Sequence, residues 1–70
     1  MSNNQEKIQI EKQVYTVNDI AKILCIGDTT TRKLMSLRSF PTMRIGRQYR
    51  VRKADFDRWL AQNYDKEIIL

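Results

Sequence analysis

Val17, Ile20, Ala21 and Leu24 recur at i, i+3, i+4 and i+7, the apolar face of a short helix ending near Leu24. Thr16 stands where a cap is needed, and Asp19 three residues on completes a capping box. Tyr15 and Ile20 flank that cap as a hydrophobic staple. Only "CIG" (25–27) separates this helix from Asp28, the expected cap of a second helix over roughly 29–38. Leu34, Met35, Leu37 and the Thr31 methyl make its apolar side. Thr29, Arg32, Lys33 and Ser36 make the opposite stripe, polar and basic. Two short helices joined by a tight turn are the layout of a helix-turn-helix, or of an ordinary helical hairpin with a solvated outer face.

Pro41 stops the second helix, and the period changes to two. In "TMRIGRQYRVRK" (42–53), Met43, Ile45, Tyr49 and Val51 alternate with charged residues, which predicts a half-buried hairpin. Placing all four on one face pairs Ile45 with Tyr49 and Met43 with Val51, leaving Gly46-Arg47-Gln48 as a three-residue loop. The outer face then sets Arg44 against Arg50, with Arg47 at the tip and Arg52 at the base. A two-residue loop at Gly46-Arg47 is rejected because it splits the apolar face. A last helix is expected from near Lys53 to about Asn63, burying Phe56, Trp59 and Leu60 with Tyr64 one turn beyond. These elements make an α+β, mostly helical fold: three short helices and a two-stranded β-hairpin, with one domain over 13–64. Residues 1–12 read as a flexible tail, and 65–70 as a C-terminal tail whose Ile68, Ile69 and Leu70 either pack back or contact another protein.

Composition narrows the function. Seventy residues make one small domain, and 41% apolar residues is ordinary for a folded chain. No apolar run is long enough for a membrane span, and the polar start is no secretory signal, so a cytoplasmic protein is expected. Cys25 is alone and histidine is absent, which removes intramolecular disulfides, the commonest general base and the commonest metal ligand. Ser2, Ser36 and Ser39 have no histidine to activate them. "GDTTTRK" lacks the spacing of a phosphate loop. A binding module without cofactor or metal is expected, and not an enzyme. The net charge is +5, but it is concentrated: residues 28–58 hold nine bases against Asp28, Asp55 and Asp57. That is the footprint of a polyanion partner, or a solubilising face. Arginines on a ribbon can fork onto phosphate or onto guanine O6 and N7. An outer face of paired arginines would be relieved by phosphates lying between them.

The segment "YTVNDIAKILCIGDTTTRKLMSLRSFPTMRIGRQYRVRKADFDRWL" (15–60) resembles small winged helix-turn-helix proteins of the excisionase type, related in architecture to the DNA-binding domain of MerR-like regulators. The likeness covers about two-thirds of the chain, and F-P, R-I-G-R and the final D-R-W-L together carry it. It implies double-stranded DNA as partner, with the second helix in the major groove and the wing against the minor groove or backbone. Thr29, Thr30, Arg32, Lys33 and Ser36 match the groove-facing positions, and Arg44, Arg47, Gln48 and Arg50 match the wing. The resemblance further implies a bacterial, phage or transposon origin and an accessory role in excision of a mobile element. The partner would be a tyrosine or serine integrase. Three departures stand out. Cys25 replaces a frequent glycine, altering the turn. Gly27 replaces a frequent serine cap, shifting capping to Asp28. Arg52 replaces a small or rigid residue, weakening a cap while adding a phosphate contact.

A small MerR-like transcriptional regulator would use the same surface. The chain shows no long coiled coil or ligand domain, which favours the accessory factor, a monomer in solution that associates on adjacent DNA sites. Two readings come from other classes. An RNA-binding module would need stacking aromatics, and only Tyr49 lies near the basic stretch. A protein-interaction module would set the basic face on an acidic partner.

Overall fold

In the computed structural model, which describes residues 12–70, the elements run β1 (Val14–Tyr15), α1 (Val17–Leu24), α2 (Asp28–Met35), β2 (Met43–Ile45), β3 (Gln48–Arg52) and α3 (Lys53–Asn63). Except for Lys12, the tail expected at 1–12 lies outside the described residues. Ahead of α1, Val14 and Tyr15 form a strand that the expected elements did not include. β1 pairs antiparallel with β3, Val14 opposite Arg52 and Tyr15 opposite Val51, and the Lys53 amide donates to the Gln13 carbonyl at 2.8 Å. The sheet is therefore three-stranded in the order β1-β3-β2, one strand more than the expected hairpin.

α1 begins as its sequence requires. The Asp19 amide donates to Thr16 Oγ1 at 3.1 Å, and the Thr16 amide donates to Asp19 Oδ2 at 2.9 Å, a complete capping box. That backbone hydrogen bond, with Lys12 Nζ 2.9 Å away, holds the Asp19 carboxyl below its ordinary range. Its stabilising effect is full at neutral pH and is lost as pH falls through the lowered folded pKa.

The turn after α1 keeps the geometry that a glycine would give it. Cys25 adopts φ 57 and ψ 46, its amide donates to the Lys22 carbonyl, and the Ile26 amide donates to the Ala21 carbonyl. These two bonds make a Schellman closure, in which the left-handed residue is usually glycine. The turn is not altered; the cysteine carries the strain instead.

α2 and its cap each fall one residue earlier than expected. Gly27 occupies the N-cap position without a side-chain bond, and Asp28 is the first helical residue, where its charge suits the helix dipole. Thr31 is fully buried, and its hydroxyl donates to the Gly27 carbonyl at 2.8 Å. The helix ends at Met35, three residues short of expectation. The Ser36 hydroxyl donates to the Lys33 carbonyl at 2.7 Å, and the Leu37 and Phe40 amides make i→i−3 bonds. The chain turns there because Phe40 must enter the core.

That core joins Val17 and Ile20 of α1, Leu34 and Met35 of α2, Phe40, Val51 of β3, and Phe56 and Trp59 of α3. Tyr64, expected in the α3 stripe, is 78% exposed because α3 has ended and the Tyr64 ring lies outside the packed face.

Removing the left-handed strain at Cys25 should stabilise the fold. Cys25→Gly is expected to gain about 0.5–1 kcal/mol, the relief of strain exceeding the added freedom of the unfolded chain. Thermal unfolding would read this as a midpoint several degrees higher; an unchanged or lower midpoint would contradict it.

Candidate nucleic-acid interface

The wing does not have the register expected of it. Met43 lies opposite Arg50, Arg44 opposite Tyr49 and Ile45 opposite Gln48, so Gly46-Arg47 form a two-residue loop. Gly46 has φ +60, the positive value that a primed turn needs at its first central position. The expected register assumed that Met43 and Ile45 face the core, but they are 45% and 59% exposed. With no burial to reward alternation in β2, the turn chemistry sets the register. The pairing of Arg44 with Arg50 therefore does not occur. Directly opposite residues share a face, so Arg44 lies with Tyr49 and Arg50 lies with Met43. The Arg44 guanidinium sits 5.7 Å from the Tyr49 ring centroid, a cation–π contact on the sheet face that also carries buried Val51.

On α2, Thr29, Arg32, Lys33 and Ser36 are exposed along the side opposite buried Thr31, Leu34 and Met35. The helical period of roughly 100° per residue puts them in one stripe. Thr30 is exposed on the other flank. It lines an apolar groove of about 300 Å³ with Ile26, Leu34, Trp59 and the tail residues Ile68 and Leu70. Two of the three apolar tail residues thus lie back against the domain, while Ile69 remains 80% exposed.

The wing residues divide in three. Arg44 and Arg47 are exposed, Arg47 at the tip. Arg50 is half-buried, donating to the Tyr49 carbonyl at 2.7 Å and to Gln48 Oε1. Arg52 is set apart at the start of α3. Its guanidinium forks onto Asp55, Nε to Oδ2 at 2.7 Å and Nη2 to Oδ1 at 3.1 Å. Hydrogen bonding from Arg52 is the main cause that lowers the Asp55 pKa, and the same bond raises that of Arg52. The phosphate contact expected of Arg52 must compete with this pair, which also links the residue to the first turn of α3.

Ion pairing separates two sides of the molecule. Arg52, Lys53 and Arg58 all pair with acids of α3, through Asp55 and Asp57. Among the described residues, Arg32, Lys33, Arg38, Arg44, Arg47 and Arg50 form no ion pair. Among the described residues, Lys22 and Lys66 are also without an ion pair, but the unpaired positive charge is concentrated on α2, the turn after it, and the wing. Arg38, expected inside the helix and among none of the expected site residues, lies in the turn after α2, two residues ahead of Phe40-Pro41.

Two helices meeting at a tight turn, an exposed basic stripe on the second, and a basic hairpin beside it define a small winged DNA-binding module. The geometry is matched by family membership: residues 14–64 fit the family described as the helix-turn-helix domain, and the chain belongs to that family. No curated protein and no solved structure matches it. Its partner is DNA, bound through the helix-turn-helix.

The Arg52–Asp55 fork has a direct spectroscopic consequence. Carboxyl NMR should find Asp55 titrating below the ordinary aspartate range, and Arg52→Gln should move that midpoint up. A midpoint that ignores the substitution would mean the fork does not persist in solution.

Proposed function

We propose that this protein reads a specific duplex sequence with α2, while its wing holds the backbone or minor groove beside it. The unpaired basic charge of α2 and the wing carries this reading. Arg32 and Lys33, exposed in the same stripe as Thr29 and Ser36, have the donors to read guanine O6 and N7 in the major groove. Arg47, at the wing tip with no acid beside it, suits phosphate or a narrow minor groove. Arg44 is held by Tyr49, and Gln48 and Arg50 hold one another, so the wing presents ordered donors. The module binds without a cofactor and catalyses nothing itself; the absence of histidine from the whole sequence supports that.

Within this reading the protein acts as an accessory factor of excision. It occupies adjacent sites on a mobile element and biases a tyrosine or serine integrase towards removal of the element. The support is the excisionase-type resemblance of F-P, R-I-G-R and D-R-W-L, in the expected order along one chain. A transcriptional regulator would use the same surface. Among the described residues no helix is long and apolar enough to cross a membrane.

Selection from a random pool of duplexes, at several salt concentrations, tests the reading. A recovered motif in repeated copies, mapping beside an attachment region, would support the excision role; single copies at promoters would favour regulation. No enrichment would refute sequence-specific binding. On the recovered site, Arg32→Ala should cost about 1–3 kcal/mol and relax base choice. An equal loss on random DNA would make Arg32 a phosphate contact. Arg47→Ala should weaken all duplexes and flatten the salt dependence of log K by about one unit. An unchanged slope would place the wing tip away from DNA.

A further inference from the structure

Between the end of α2 and the wing lies a notch of about 250 Å³, lined by Leu37, Arg38 and Phe40 on one side and by Thr42, Arg44 and Tyr49 on the other. Water occupies about 30 Å³ per molecule, so a notch this size accommodates a phosphate group. Two arginines line it, one from the turn after α2 and one from β2, and neither forms an ion pair among the described residues. Arg44 is steadied over the Tyr49 ring, so its charge is aimed before any partner arrives. Thr42, on the same wall, has a buried Oγ1 with no hydrogen-bond partner, which is rare for a buried hydroxyl.

We infer that this notch is the seat of one DNA backbone phosphate, gripped jointly by Arg38 and Arg44. The inference rests on the DNA-binding reading above and adds a contact that neither α2 nor the wing tip supplies. Two arginines around one small notch repel each other when it is empty, and a single anion between them removes that repulsion while taking forked hydrogen bonds from both. The arrangement has a mechanical consequence. Arg38 follows directly on α2, and Arg44 belongs to the wing, so one phosphate held by both fixes how α2 sits in the major groove relative to the wing. Contacts of this type set register without reading bases. Phe40, buried beyond the early end of α2, lines the same notch.

Salt dependence distinguishes one shared phosphate from two separate ones. The slope of log K against log[salt] changes by about 0.9 for each phosphate whose neutralisation is lost. Duplex binding would be measured for the wild-type chain, Arg38→Ala, Arg44→Ala and the double variant, all checked for native helix content. With a shared seat, each single variant binds more weakly but nearly keeps the wild-type slope, because the other arginine still neutralises the phosphate. The double variant then flattens the slope by about 0.9. Two single variants that each flatten it by about 0.9, with twice that in the double variant, would overturn the shared seat in favour of separate phosphates. Unchanged affinity in all three would also overturn it while leaving DNA binding intact. Failure of the wild-type chain to bind any duplex would instead defeat the parent reading.

Discussion

The packing of Phe40 against α3 is the contact on which the functional surface depends. Its ring lies 4.7 Å from Trp59 and 6.2 Å from Phe56, centroid to centroid, and Tyr15 closes the cluster edge-on against Phe56 at 5.8 Å. Phe40 belongs to no helix or strand, and its burial, with the partly buried Leu37 beside it, ties the α2–β2 connection to the rest of the domain. Burying a phenylalanine contributes about 1.5–3 kcal/mol, a large share of what so small a domain has to spare. Without it, α2 and the wing would still meet through Leu34, Met35 and Val51 in the core, but the connection between them would lose its most buried anchor.

Onto that scaffold the sequence distributes charge in two ways. At the start of α3, acids stand close to bases, and Arg52, Lys53 and Arg58 are neutralised within the fold. From Arg32 to Arg50 the bases are left without acids. A solvated, solubilising face needs no such partition. A surface that must meet a polyanion does, because an internal ion pair would have to be broken before a phosphate could take the acid's place. Asp55 pairs with both Arg52 and Arg58, so the charge of these two bases is compensated within the fold.

Much of this was legible in the residues. The capping box at Thr16 and Asp19, the start and end of α3, and the exposed stripe of α2 follow from local chemistry, and the structure reproduces them. What escaped depends on contacts distant in sequence. Val14 and Tyr15 are too short a segment to declare themselves a strand, and only β3 makes them one. The wing register went wrong because alternation was taken as burial, whereas β2 lies at an edge with Met43 and Ile45 exposed, and Gly46 decided the turn. Phe40 sat outside every periodic run, so neither its place in the core nor the early end of α2 could be read. Arg38 was lost with it. Of the expected site residues, Thr30 turns to the opposite flank and Arg52 is held by Asp55, because helix phase and ion pairing separate neighbours that adjacency in sequence suggests belong together.

The central claim is that the unneutralised bases of α2 and the wing form the DNA-binding face, and that the paired bases of α3 do not. Titration of the isotopically labelled chain with duplex DNA, followed by backbone and arginine side-chain NMR, tests it most directly. The account predicts that the largest shifts fall on Arg32, Lys33, Ser36, Arg44 and Arg47, with Lys53, Asp57 and Arg58 nearly unmoved. Shifts centred on α3, with α2 and the wing undisturbed, would contradict it.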